Sequence, residues 1–261
     1  MSRIALPTRA AMKARWSIQT VRDWADYRRR RSAFDSSVSG KTIHRVEKPV
    51  GERTRHIYDI ADGKAFTTFQ MDQRHTIVSR YYPEKLTSLL DIGCCRGWFG
   101  LQAALRPECD RTIGIDVIPE FIEAANEGAR LLGVSNKTRF AHAFMDDLEA
   151  DRAGYGLPVQ TILLINTYHY MYWGSYLSPK HWPDHDYILR TLAGMCTDRM
   201  IFMTPLEVDE CPSDIARKAA EHPDWAAQYT EAKFLDVASR YFDVTLETYL
   251  GLRPLYLMRK R

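Results

Sequence analysis

Hydrophobic and polar positions follow an alternating pattern over most of the chain. From Lys85 onward, short apolar runs typical of buried strands alternate with longer stretches of helical periodicity. The predicted strands are 88–92, 112–115, 138–144, 161–165 and 199–204, and the predicted helices are 98–105, 119–132, 186–196 and 213–240. Buried strands that alternate with helices predict a parallel sheet covered on both faces.

The last two apolar runs depart from this alternation. Residues 242–249 and 253–258 are separated only by a short corner at 250–252, which predicts an antiparallel hairpin. The predicted fold class is therefore α/β: a doubly wound, seven-stranded, mostly parallel sheet that ends in a C-terminal antiparallel hairpin.

The first 82 residues have another organisation. Apolar residues at helical spacing predict an amphipathic helix over 16–30, namely Trp16, Val21, Trp24 and Tyr27. Short alternating runs at 43–46, 55–60 and 65–69 predict strands, with a hairpin turn at 61–64 and a helix around 71–81. We therefore predict a basic N-terminal helix and small β extension over 1–82, followed by one larger domain over 83–261.

Charge adds a feature that the pattern does not show. The net charge is +3, but residues 1–31 carry +7 and the remaining residues carry −4. A hydrophobic content of 45% with 26% charged residues is ordinary for a globular protein. The basic segment has three interpretations: a helix docked on the body, a contact with an anionic partner, or an organelle transit segment.

The cysteines and the apolar runs indicate the compartment. Five cysteines without paired spacing argue against a disulfide framework, so a reducing, cytoplasmic location is expected. No apolar run approaches the roughly 18–20 residues of a transmembrane helix. No metal site is predicted, and no prediction of oligomeric state follows.

A glycine-containing turn follows the first buried strand of the larger domain. The segment 91–97 reads Asp-Ile-Gly-Cys-Cys-Arg-Gly and opens a helix, whose free N–H groups suit an anionic ligand. Gly93 and Gly97 would allow close approach of the backbone to a ligand. Asp116 ends the second strand, about 20 positions later, where an acid can accept hydrogen bonds from ribose hydroxyls.

This segment resembles the first motif of class I S-adenosylmethionine (SAM)-dependent methyltransferases, (D/E)-x-G-x-G-x-G, with Cys95 in place of the middle glycine. The resemblance covers roughly residues 70–258 and implies SAM as the cofactor. Asp91 and Gly93 would contact the methionine part, Asp116 the ribose, Asp146 the adenine amino group and Arg74 the SAM carboxylate. The full set of candidate cofactor-binding residues is Arg74, Asp91, Gly93, Cys94, Cys95, Gly97, Asp116, Val117, Met145, Asp146 and Asn166. A dinucleotide-binding domain is the alternative, although it would require G-x-G-x-x-G without the leading acid.

The segment after the fourth strand carries the candidate acceptor site, because ligands bind beyond the carboxyl ends of such strands. His169 can take a proton near neutral pH and is the candidate general base, the alternative being a structural histidine. The candidate substrate contacts are Tyr168, Tyr170, Tyr172 and Trp173. Their alternative is a hydrophobic plug.

The sequence thus predicts an enzyme, a SAM-dependent methyltransferase that acts on a hydroxyl of a polar small molecule or glycan. The resemblance extends to wobble-uridine-modifying tRNA enzymes, so a tRNA methyl- or carboxymethyltransferase is the first alternative, with the basic segment contacting phosphates. A non-catalytic SAM-binding scaffold is the second.

Overall fold

A small front sheet and a larger central sheet organise the part of the chain that this computed structural model describes: residues 9–50, 53–175, 177–178, 180–250 and 253–261, with side chains from 22 except 48–50 and 53–56. The helices are α1 (Arg9–Ser37), α2 (Phe69–Val78), α3 (Trp98–Ala104), α4 (Pro119–Leu131), α5 (Met145–Ala150), α6 (Arg152–Tyr155), α7 (Tyr168–Trp173), α8 (His185–Gly194), α9 (Ser213–Glu221), α10 (Pro223–Gln228) and α11 (Glu231–Ala238). The strands are β1 (His44–Val50), β2 (Arg53–Ala61), β3 (Lys64–Thr67), β4 (Ser88–Ile92), β5 (Arg111–Asp116), β6 (Thr138–His142), β7 (Val159–Ile165), β8 (Cys196–Met203), β9 (Phe242–Leu250) and β10 (Arg253–Lys260).

The central sheet has seven strands in the order β6-β5-β4-β7-β8-β10-β9. Strands β4 to β8 pair in parallel, whereas β10 runs antiparallel to both β8 and β9. The predicted fold class, including the terminal antiparallel hairpin, is therefore confirmed.

Successive side chains of the central strands point to opposite faces, and both faces are buried. On β4, Leu90 packs in the cluster that contains Ile188 of α8, while Leu89 packs in the cluster that contains Phe99 of α3. Strands buried on both sides need near-continuous apolar sequence. This requirement explains why the pattern of residues 88–92 and 161–165 identified them as strands.

The front sheet shares its core with the central domain. Tyr58 and Ile60 of β2 lie in one buried cluster with Trp98 and Leu101 of α3 and with Ala125 of α4. The predicted boundary between residues 82 and 83 therefore does not separate two hydrophobic cores, and the domain division stays a prediction.

Helix α1 packs on this front section through its C-terminal half. Phe34 and Val38 are buried against Phe66 of β3, and Trp24 lies 4.8 Å from the ring of Phe69, centroid to centroid. The predicted side-chain contacts of Trp16 and Val21 lie outside the described residues. None of the described helices combines the length and apolar composition that a bilayer span requires.

Several element boundaries differ from the sequence prediction; α1, for example, spans Arg9–Ser37 rather than 16–30. The helix predicted over 213–240 is three helices, because Pro223 starts α10 and Thr230 caps α11 by accepting a hydrogen bond from the N–H of Lys233. The strand predicted over 138–144 ends at His142. The strand predicted over 65–69 ends at Thr67, and Phe69 begins α2.

Candidate active site

A cavity of about 550 Å³ lies at the carboxyl ends of the parallel strands. Its walls come from the loop after β4, the end of β5, the segments after β6 and β7, and helix α2. Open α/β sheets bind their ligands at this edge. The cavity is therefore where the sequence placed the glycine-containing turn and the acid after the second strand.

The turn over 93–97 depends on glycine at two positions. Gly93 and Gly97 have φ angles of 75° and 76°, in the left-handed region. A Cβ atom on Gly93 would lie 2.2 Å from Oγ1 of Thr167, and one on Gly97 would lie 2.8 Å from Cβ of Ala125. Conformation and close packing therefore both exclude a side chain at these positions.

Cys95 occupies the middle position of the motif with a left-handed backbone, at a φ of 52°. Its N–H donates to Oδ2 of Asp116 over 2.8 Å, while Oδ1 of Asp116 accepts from the N–H of Ile118 over 3.1 Å. The chain thus keeps the backbone conformation that glycine adopts most readily, and Asp116 holds the loop in it.

Asp91 is the buried acid next to this loop. Its side chain lines the cavity, yet the residue is only 3% exposed and Oδ2 has no hydrogen-bond partner among the described residues. Burial, together with the negative charge of Asp116, raises the pKa of Asp91 to about 7. A cationic ligand group that donates to Oδ2 would relieve the cost of leaving this oxygen unpaired.

The methyltransferase domain family matches residues 83–234, more than half of the chain. The chain belongs to this family. No curated protein matches it at a significant level.

Solved structures agree on the fold. An O-methyltransferase of Bacillus cereus in complex with S-adenosylhomocysteine (SAH) has a TM-score of 0.50 and 10% identity, over 75% of this chain and 82% of that chain. A proposed O-methyltransferase of Nostoc punctiforme has a TM-score of 0.50 and 19% identity, over 72% of this chain and 56% of that one. The bifunctional kinase-methyltransferase WbdD has a TM-score of 0.51 and 17% identity, over 72% of this chain and 39% of that one.

The cofactor of this methyltransferase is SAM, and the cavity fits it. Oδ2 of Asp91 is available to the ammonium group of the methionine part. Each oxygen of the Asp116 carboxylate accepts one backbone N–H, which leaves lone pairs for ribose hydroxyls. The turn contributes Gly93, Cys94 and Cys95 to the cavity wall. The roles of the individual residues stay predictions.

Most of the candidate cofactor residues lie together at the cavity wall: Arg74, Asp91, Gly93, Cys94, Cys95, Asp116, Val117, Met145 and Asn166. Gly97 lies behind the wall, against Ala125 and Phe140. Asp146 does not line the cavity either, but its Oδ2 pairs over 3.0 Å with Nζ of Lys180, which does. Its neighbour Asp147 accepts from the N–H of Phe144 over 2.8 Å and caps α5.

The candidate base His169 does not line the cavity. It is 3% exposed, and its ring packs on that of Tyr170 with 4.1 Å between centroids. Burial, with a smaller effect of the Arg253 charge, lowers the pKa of His169 to about 3. The structure thus gives no direct contact between this imidazole and the cavity, in contrast to the expectation from sequence.

The aromatic residues after β7 separate into two groups. Tyr168, Tyr172 and Trp173 are almost fully buried in the core and do not line the cavity, so the prediction of an acceptor wall is not supported at these positions. They belong to helix α7, where the positions i, i+4 and i+5 share the core-facing side. Tyr170, about 200° around the helix from Tyr168, does line the cavity.

Tyr168 also anchors a buried histidine. Its hydroxyl contacts Nδ1 of His185, and Nε2 of His185 lies 3.0 Å from the carbonyl oxygen of Gln228. Because a carbonyl only accepts, the hydrogen of this imidazole is on Nε2, and Nδ1 accepts from the tyrosine. The residues form a structural network inside the core.

Two further parts of the cavity wall lie outside the predicted site residues, apart from Arg74. One is the face of α2, which contributes Gln70 and Met71 beside Arg74. The other follows α7 and contributes Ser175, Leu177, Ser178, Lys180 and Trp182. The spacing i, i+1, i+4 of Gln70, Met71 and Arg74 is a helical face, and this signal could have added Gln70 and Met71 to the predicted site.

Proposed function

We propose that this SAM-dependent methyltransferase methylates a hydroxyl group of a polar small molecule or glycan. The observation that carries the proposal is a set of neutral hydrogen-bonding side chains on two cavity walls, beside the cations Arg74 and Lys180 and apolar residues. The wall that includes α2 and the wall after β7 present Thr68, Gln70, Asn166, Thr167, Tyr170, Ser175 and Ser178. A hydroxyl-rich acceptor can donate to and accept from such groups, which favours it over an apolar acceptor.

Methyl transfer places modest chemical demands on the protein. SAM, when bound, supplies an electrophilic methyl group. The side chains that line the cavity must hold the acceptor oxygen in line with that group, and a hydroxyl acceptor must also lose its proton. Asn166 directly follows β7, Tyr170 lies in α7, and both line the cavity, so we assign acceptor positioning to them.

His169 remains the proposed proton acceptor, acting from behind Tyr170. Its Nδ1 is buried without a hydrogen-bond partner among the described residues, and the low pKa keeps the ring neutral, the form that can accept a proton. A low pKa also makes the ring a weak base. We therefore propose that rotation of Tyr170 on acceptor binding opens Nδ1 to the cavity and raises its basicity.

The tRNA alternative draws its support from the basic N-terminal segment. In the structure, Arg30 pairs with Asp72 and Arg31 pairs with Asp59, so part of this charge is neutralised within the molecule. The hydroxyl acceptor is therefore the function that we prefer.

An acceptor screen tests the proposal. The chain is incubated with SAM and three acceptor panels, namely sugars and other polyols, their amine analogues, and total tRNA, and SAH release is measured. We expect turnover on the hydroxyl panel. Turnover confined to amines or to tRNA would replace the proposal with the corresponding alternative.

The role of His169 has its own test. His169→Ala should lower kcat by roughly 10²- to 10⁴-fold, the usual contribution of a general base, with SAH affinity within about twofold of the wild type. A turnover equal to that of the wild type would remove His169 from the mechanism.

A further inference from the structure

Helix α2 is one wall of the cofactor cavity, and α1 holds it from behind. Gln70, Met71 and Arg74 of α2 line the cavity. Asp72 lies about 200° around the helix from Arg74, because each residue advances about 100°. Asp72 therefore marks the opposite face of α2, the face that α1 contacts.

The contact between α1 and α2 centres on one bidentate ion pair. Nη1 and Nη2 of Arg30 donate to Oδ1 and Oδ2 of Asp72, each over 2.7 Å. The Asp72 side chain is 13% exposed and that of Arg30 is 43% exposed. Two parallel charge-assisted hydrogen bonds fix the orientation as well as the distance of the partners.

Further contacts repeat along the same face of α1. Nε2 of Gln73 donates to Oδ2 of Asp23 over 3.0 Å, and the Trp24 ring meets the edge of Phe69. The hydroxyl of Tyr27 donates to the carbonyl oxygen of Thr67, which ends β3 two residues before α2, over 2.9 Å. The α1 positions 23, 27 and 30 are spaced i, i+4 and i+7, so one face of α1 contacts α2 and the residues just before it.

Part of the positive charge of the N-terminal segment is therefore used in an ion pair within the molecule. Arg29, next to Arg30, contacts only Asp26 of its own helix among the described residues, and its side chain is 79% exposed. Arg30 also pairs with Asp26, through Nε over 2.9 Å, but its two Nη atoms reach across to Asp72 of α2, the helix that lines the cavity. Neighbouring arginines of the same run are thus distinguished by geometry.

We propose that Arg30 is a positioning residue: through its pair with Asp72 it orients α2 so that Arg74 is presented to bound SAM. This inference rests on the proposed role of Arg74 at the cofactor and is independent of which acceptor is methylated. The N-terminal helix then supports the cofactor site indirectly: it positions α2 and does not itself contact the ligand.

The test is SAH binding by calorimetry on the full chain. Arg30→Gln and Asp72→Asn should each weaken SAH binding by roughly three- to tenfold, and the double variant should lose no more than either single variant. Arg29→Gln is the matched control and should bind SAH as the wild type does. Arg30→Lys, which keeps the charge but only one contact, should recover part of the affinity.

A coupling measurement separates positioning from a general loss of stability. In the Arg74→Ala background, Arg30→Gln should cause no further loss of SAH affinity, because its effect passes through Arg74. The inference would be overturned if Arg30→Gln bound SAH as tightly as the wild type. It would also be overturned if Arg30→Gln reduced SAH affinity equally with and without Arg74, or if Arg74→Ala itself bound SAH with wild-type affinity. Failure of the proposed acceptor class would appear separately, as intact SAH binding without methyl transfer to hydroxyls.

Discussion

The N–H of Cys95 donates to Oδ2 of Asp116 over 2.8 Å, and this bond joins the turn after β4 to the end of the neighbouring strand β5. The same carboxylate lines the cavity. Asp116 therefore has two tasks, since it fixes the backbone of the cofactor turn and also faces the site where ribose hydroxyls are expected.

Replacing Asp116 should affect binding through both tasks. In the wild type the two carboxylate oxygens of Asp116 accept hydrogen bonds from the N–H groups of Cys95 and Ile118. Asp116→Asn replaces one of these oxygens with an NH₂ group, which cannot accept. The loss of a charge-assisted hydrogen bond is worth about 1.5–3 kcal/mol, so SAH affinity should fall roughly ten- to hundredfold in calorimetry. Asp110→Asn, an exposed acid just before the same strand, is the control and should bind normally. Equal affinities of the two variants would contradict the assignment.

The raised pKa of Asp91 should make SAH binding depend on pH. The carboxyl group titrates at about 7 in the fold, against an ordinary value of 3.8, with burial as the main cause. The ammonium group of the ligand requires the ionised form, so affinity should rise between about pH 5.5 and 8 and level off above this range. Asp91→Asn should bind weakly and with a flat pH profile. A flat profile in the wild type would show that Asp91 does not meet the ammonium group.

The same shift has the opposite effect on stability without ligand. Between about pH 4 and 7 the folded chain retains a proton on Asp91 that the unfolded chain has released. The contribution of Asp91 to the free energy of unfolding is therefore fully present below pH 4 and is lost as the pH rises to about 7. Urea unfolding of the wild type and of Asp91→Asn across this pH range measures that contribution. It is the difference between the two proteins in the slope of the free energy of unfolding against pH.

The fold could be predicted where the sequence alternates cleanly. Leu89, Leu90 and Ile92 are apolar because both faces of β4 are covered. The motif from Asp91 to Gly97 contains a turn that requires glycine at two positions. Such local requirements can be read from the sequence. They also predict that the turn lies at the cavity, because the turn follows the carboxyl end of β4.

The acceptor side was less predictable, because its residues are set by tertiary packing. The aromatic residues between 168 and 173 are substrate contacts in the sequence prediction, but the segment is a helix, and its periodicity places Tyr168, Tyr172 and Trp173 in the core. The pairing of Arg30 with Asp72 joins positions 42 residues apart, and no local pattern records it. His169 likewise reads as a reactive histidine until its burial is known.

Cys95 and Gly97 should respond differently to substitution, although both have left-handed backbones. Cys95→Gly removes a side chain from a strained conformation and should leave the unfolding midpoint unchanged or slightly raised. Gly97→Ala adds a Cβ atom 2.8 Å from that of Ala125 and should destabilise by about 2–4 kcal/mol, from conformational strain and overpacking together. Urea unfolding measures both. A destabilised Cys95→Gly variant would show that its thiol contributes more than the backbone conformation indicates.

A hydroxyl of the front sheet supports the cofactor turn, and its removal gives a sharp comparison. The OH of Tyr58 donates to the carbonyl oxygen of Arg96 over 2.7 Å inside a fully buried contact, and burial raises the pKa of this phenol, so it remains a donor at ordinary pH. Tyr58→Phe leaves that carbonyl unsatisfied and should lower the free energy of unfolding by about 1–3 kcal/mol, with a few-fold loss of SAH affinity.

Tyr82 is the matched control, since its buried hydroxyl has no hydrogen-bond partner among the described residues. Tyr82→Phe should be neutral or stabilising, because it removes an unsatisfied group. Equal stabilities of the two variants in urea unfolding would mean that the front sheet does not support the turn through this bond.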